Sequence, residues 1–176
     1  MRRALTAFAV AFVVLSGAAG AQPVDVAGWQ EIAWPYPRDA WPAGRAFRCA
    51  SGACGGEVEV YLRPKIGFCN CDTGVADDDE VDRVADLDLI SEQFVPLQAG
   101  HMIGIAGMPG RSRSYQLRMA DGSRPTAIGM AVSHRCDVLV AVAQGKGTAQ
   151  DVERAALAFL GTPAMTQWMN AAMNGG

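Results

Sequence analysis

Residues 138–142 read Val138, Leu139, Val140, Ala141 and Val142 without a polar interruption. The run is far too short to cross a membrane as a helix, which needs about 20 residues. Its length and β-branched content suit a strand. A strand that is apolar on both faces has to lie inside a sheet and be covered from both sides. This one segment therefore calls for a layered fold with packing on each face of a sheet.

The flanking pattern supplies the rest of that sheet. Residues 57–63 alternate: Val58, Val60 and Leu62 point one way, and Glu57, Glu59, Tyr61 and Arg63 the other. This predicts a strand with one wet face, ended by Pro64 and Gly67 and so expected at an edge. Residues 101–107 predict a strand and Pro109-Gly110 a turn. Residues 112–119 alternate through Tyr115, Leu117 and Met119, Asp121-Gly122 marks a second turn, and residues 126–132 alternate again. Short turns between successive strands predict an antiparallel meander.

Helices are expected in three places. Residues 26–33 permit a short one before the prolines. Residues 77–90 read as a helix capped by Asp77, with Val81, Val84, Ala85 and Leu89 as its apolar stripe. Eight of the chain's 18 acidic residues fall between Asp72 and Asp88. They lack the ligand spacing and central glycine of an EF-hand, so a solvated, capped helix is the better reading. At the end, Thr148 caps one helix, Gly161 breaks it, and Thr162-Pro163 starts another. Met165, Met169 and Met173 share one face of that last helix and read as core filling.

The N-terminus reads as an address. Arg2 and Arg3 precede a twelve-residue, nearly all-apolar run, and small residues at Ala19 and Ala21 fit a cleavage site before Gln22. The arginine pair is also compatible with twin-arginine export. The expected organisation is a cleavable signal peptide over residues 1–21, a Trp/Pro-rich arm over 22–48, and one α+β domain over 49–176. Net charge is −3, which argues against binding nucleic acid or anionic lipid by bulk charge. No transmembrane segment is expected after cleavage. The expected location is the periplasm or outside the cell, where disulfides persist.

The expected fold is α+β, a single antiparallel sheet of about five to six strands with helices packed on it. A β-rich sandwich with a C-terminal helix pair is the alternative. The order of elements resembles the PsbP-like α/β/α fold of small exported or lumenal accessory proteins. The resemblance covers element order across most of the mature chain and rests on no shared motif. It implies a fold and transfers no residue.

Five cysteines, Cys49, Cys54, Cys69, Cys71 and Cys136, allow at most two bridges, and sequence does not choose among the pairings. In one arrangement Cys49 pairs with Cys54, and Cys69 or Cys71 pairs with Cys136, leaving one thiol over. A different reading joins Cys69, Cys71, His134 and Cys136 as a tetrahedral set for zinc, or with nearby methionine for copper(I). A third makes Cys69-x-Cys71 a thiol–disulfide redox pair. No cofactor is otherwise implied.

A hydrolytic triad lacks its nucleophile elbow, and the glycines at 104 and 107 lack the helix and lysine of a phosphate loop. No catalytic residue is assigned. Trp34, Tyr36 and Trp41, set between prolines, and Arg111 and Arg113, on one hairpin, are the candidate surface for a ligand or protein partner. The functional expectation is an exported accessory or binding protein, braced by disulfides, without catalysis of its own. The redox factor and the metal binder are its alternatives. Mass spectrometry of protein recovered from the periplasm is expected to show a chain beginning at Gln22. An intact chain beginning at Met1 would contradict the processing.

Overall fold

A computed structural model describes residues 26–37, 39–68 and 70–174. The signal segment with its cleavage site, and Cys69, lie outside the described residues.

Eight strands form one antiparallel sheet. They are β1 (Trp29–Ile32), β2 (Arg45–Cys49), β3 (Val58–Lys65), β4 (Phe94–Pro96), β5 (His101–Ile105), β6 (Met108–Leu117), β7 (Thr126–His134) and β8 (Asp137–Gly145). The spatial order is β1-β2-β3-β8-β7-β6-β4, with β5 also paired to β6. The sheet is larger than the five to six strands expected. Two short elements account for the excess. Residues 26–33 give strand β1 and not a helix, because Trp29 to Ile32 pair with Cys49 to Ala46 of β2. The three-residue β4 continues the line of β5 along β6.

The central run behaves as its composition requires. β8 lies between β3 and β7. Leu139, Ala141 and Ala143 face a core built with helices α3 (Ala149–Leu160) and α4 (Pro163–Asn174), where Phe159, Met165 and Met169 are fully buried. Val138, Val140 and Val142 face the other core, under α2 (Asp78–Val84) and the 3-10 turn Asp86–Leu89. The four-residue helix α1 (Ser51–Cys54) links β2 to β3. Among the described residues no helix is long and apolar enough to cross a membrane.

Proline placement corrects two sequence expectations. β3 is internal, not an edge, and runs through Pro64. Its pairing with β2 stops at Leu62, while Pro64 still faces Leu139 of β8. The proline sits where one neighbour has already ended, so β3 is an edge only locally. Pro109 repeats the device. It pairs with Gly104 of β5, and the β6–β7 register begins one residue later. The turn expected at Pro109-Gly110 is instead at Ala106-Gly107, whose φ angles of 54° and 79° give the left-handed pair a tight hairpin needs.

The expected helix over 77–90 is divided. Asp77 caps α2 by accepting from Glu80 N at 2.9 Å. Ala85 is extended and separates α2 from the 3-10 turn. The Val84 carbonyl, one of the groups orphaned at that helix end, accepts from Lys65 Nζ at 2.8 Å.

Two disulfides brace the fold, Cys49–Cys54 and Cys71–Cys136. The first closes a separation of 5 residues, the second one of 65, tying the loop after β3 to the β7–β8 turn. Loop-closure entropy alone assigns about 2 kcal/mol to the first and about 4 kcal/mol to the second. Urea unfolding of the Cys71→Ala/Cys136→Ala pair is expected to show roughly twice the loss of the Cys49→Ala/Cys54→Ala pair. Equal losses would contradict the entropic account.

Candidate binding cleft

The face of β3 read as wet is buried. Arg63 is 2% exposed, Lys65 6% and Tyr61 6%. Arg63 and Lys65 meet the 3-10 turn, and Arg63 and Tyr61 meet the proline-rich arm, residues 33–37 and 39–44. Burial of two cations is possible only because each is paired. Arg63 donates through Nε and Nη2 to Asp86 at 2.7 and 2.8 Å. It also donates through Nη1 and Nη2 to Asp39 of the arm at 2.8 and 2.7 Å. Lys65 Nζ lies 2.7 Å from Asp86 Oδ1. Two cations and two carboxylates thus close on each other.

The arm is shaped by the same contacts. Asp39 accepts from Trp41 N at 2.9 Å, an Asx turn that presents its carboxylate to Arg63. Trp34 and Tyr36 pack edge-on against Tyr61, with centroids 6.3 and 5.0 Å away. The Arg63 guanidinium lies 5.8 Å from the Trp34 ring centre. Gly44 lets the arm return to β2, since a Cβ there would stand 2.4 Å from the Leu62 carbonyl oxygen and 2.6 Å from Trp34.

Beside this cluster opens a cleft of 380 Å³ whose lining includes Asp39, Trp41, Lys65, Phe68, Arg83 and Phe94. Trp41 meets Phe68 edge-on at 5.0 Å. Lys65 Nζ is 5.8 Å from the Trp41 ring centre and 5.6 Å from that of Phe68, and the Arg83 guanidinium is 4.8 Å over Phe68. Larger depressions lie elsewhere, of 440 and 390 Å³ beside β4 and the end of β6, and of 520 Å³ between Trp29 and α3. None of these is lined by a buried charged side chain. The cleft under the arm combines buried charge with aromatic walls, and is the candidate site.

Protonation follows from these contacts. The Arg63 guanidinium holds the Asp39 pKa down to about 2, against an opposing effect of partial burial. Burial works to lower the Arg63 pKa, but its hydrogen bonds to Asp86 and Asp39 outweigh it and raise it. Burial, then the hydrogen bond to Glu59, pushes the Tyr61 hydroxyl up to about 12. Burial, with Tyr61 beside it, raises Tyr36 as well. Both phenols therefore stay neutral at ordinary pH.

The residues singled out from sequence fall in several places. Trp41 lines the cleft, while Trp34 and Tyr36 lie half-buried beside it. Arg113 reaches its margin through Asp82, which accepts from Arg113 Nη1 at 2.7 Å and from the Tyr115 hydroxyl at 2.6 Å. Arg111 donates to Asp78 Oδ1 and to the Gly100 carbonyl, holding the bulge between β4 and β5. Cys71 and Cys136 are bonded to each other, so in this form neither offers a thiolate to a metal, and His134 stands beside them at the end of β7. Among the described residues no group of three or more His, Cys, Asp or Glu is disposed to hold a metal ion. His101 Nε2 lies 3.3 Å from Glu153, to which the buried Ser112 hydroxyl also donates. The carboxylate stands between serine and imidazole, which is not the nucleophile–base order of a triad.

The sequence reading missed Asp39, Arg63, Lys65, Phe68 and Asp86. A signal was present. Asp78, Asp82 and Asp86 recur every four residues, and Arg111, Arg113, Arg63 and Lys65 stand ready on strands. These three of the eight acids expected to be solvated instead pair with the sheet, while Asp72, Asp77, Asp79 and Asp88 are exposed.

No protein-family profile and no curated protein matches the chain. Among solved structures it is similar to the solution structure of cyanobacterial PsbP from Synechocystis sp. PCC 6803, at 14% identity and a TM-score of 0.44 over 76% of this chain and 79% of that one. It is also similar to PA94, a protein of unknown function and candidate regulator from Pseudomonas aeruginosa. That match has 21% identity and a TM-score of 0.38 over 74% of this chain and 83% of the other. The first is of the fold type that the element order resembles.

Asp86→Ala, which leaves Lys65 buried without a carboxylate and takes one of Arg63's two, is expected to cost about 3–5 kcal/mol by urea unfolding. Asp39→Asn should cost less, because the Asp39 side chain is 35% exposed and Arg63 keeps Asp86. Since folding lowers the Asp39 pKa from 3.8 to about 2, its contribution is complete above pH 3.8 and is lost as pH falls through about 2. Stability measured across that window should fall less steeply in Asp39→Asn than in the parent. Identical slopes would contradict the assignment.

Proposed function

We propose that this is an exported, disulfide-braced binding protein without catalysis of its own, and that the cleft under the arm is where its ligand binds. The buried Arg63–Lys65–Asp86 cluster carries the reading. Buried ion pairs are often matched or exceeded in stability by apolar residues of similar size. A cluster kept at the wall of an aromatic cleft is accounted for by recognition rather than by stability. A volume of 380 Å³ is in the range of small-molecule sites. The two bridges agree with an oxidising compartment.

The test is a small-fragment screen followed by amide chemical shifts. Binders are expected to perturb Trp41, Phe68 and Arg83 together, and to lose affinity in Trp41→Ala while the melting temperature holds. Binders that map instead to the β4 edge or to the groove beside Trp29 would overturn the choice of site. Turnover of any bound fragment would overturn the non-catalytic part.

A further inference from the structure

We propose that the cleft accepts a carboxylate carried on a small, flat apolar body, and that Asp39 of the chain's own arm stands in that carboxylate's place. The inference rests on reading this cleft as the binding site.

The argument begins with charge. Arg63 and Lys65 bring two positive charges to a buried position, and Asp86 answers one of them. The second is answered by Asp39 alone. Asp86 comes from the packed 3-10 turn and its side chain is 8% exposed. Asp39 comes from residues 39–42 of the arm, which belong to no strand or helix, and its side chain is 35% exposed. The fixed half of the cluster is therefore two cations sharing one hydrogen-bonded carboxylate, and the removable half is a second carboxylate.

Geometry narrows the class. Asp39 meets both Arg63 terminal nitrogens with both of its oxygens, at 2.8 and 2.7 Å. A planar two-oxygen anion matches that fork. A dianion would leave excess negative charge beside Asp82, Asp86 and Asp88, which also border the cleft. A cationic ligand would be repelled by Lys65 and Arg83, which stand at the rings. Trp41, Phe68 and Phe94 offer the apolar surface for the ligand's body.

A tethered carboxylate competes at an effective concentration on the order of millimolar. An external carboxylate consequently binds the parent chain weakly, and removal of the Asp39 charge should unmask the site. The probes are benzoate, its neutral isostere benzamide, and acetate, titrated by amide shifts into the parent chain and into Asp39→Asn. Benzoate is expected to bind Asp39→Asn roughly tenfold more tightly than the parent, with shifts at Phe68 and at the Arg63 Nε–H. Benzamide and acetate are expected to bind that variant at least about tenfold more weakly than benzoate.

Equal benzoate affinity for parent and variant, or benzamide binding as well as benzoate, overturns the carboxylate assignment and leaves the cleft standing as a site. Silence of the cleft toward all three probes in both folded proteins takes down both. If Asp39→Asn does not fold, the parent decides alone. Benzoate must then saturate the cleft at millimolar concentration while benzamide does not, and indistinguishable titrations overturn the proposal.

Discussion

The guanidinium of Arg63 joins three parts of the chain. It stands on β3, it binds Asp86 of the turn after α2, and it binds Asp39 of the arm. Beyond that ion pair the arm is held by ring contacts of Trp34 and Tyr36 with Tyr61 and of Trp41 with Phe68, and its prolines donate no hydrogen bonds. The arm in turn covers Tyr61 and supplies Trp41 to the cleft. A single planar cation, able to hold two carboxylates in one plane, sets the geometry of the whole face.

The two faces of the sheet are held by different physics. Toward α3 and α4 the contact is mainly apolar, with Phe159 stacked on Trp29 at 4.1 Å and three buried methionines, and Glu153 of α3 adds a polar contact to Ser112 and His101. Toward α2 an apolar centre of Val81, Val84 and Leu87 is flanked by ion pairs from Asp78, Asp82 and Asp86. An apolar contact tolerates sliding, whereas paired charges fix register. The ionic face is the one that carries the cleft.

What was legible in the sequence follows from this division. The run 138–142 gave the central strand correctly, because apolar residues on both faces admit one environment. The methionine face and the caps at Asp77 and Thr148 were also readable, since each depends on local spacing, and Cys49–Cys54 was among the pairings that spacing offered. Arg63 was assigned to solvent because alternation distinguishes polar from apolar and not wet from paired. Pro64 suggested an edge because the end of β2 at Leu62 is a fact of register, which no local pattern records. The site itself depends on Asp39 meeting Arg63 across 24 residues, a contact that only the folded arm creates.

The four tryptophans provide the most direct measurement of the central claim, that Arg63 docks the arm. Indole N–H resonances would be compared between the parent and Arg63→Gln. Trp34 and Trp41 are predicted to move toward solvent-exposed positions, while Trp29, stacked on Phe159, and Trp168, on α4, stay where they are. Unchanged Trp34 and Trp41 resonances in a folded variant would contradict the account.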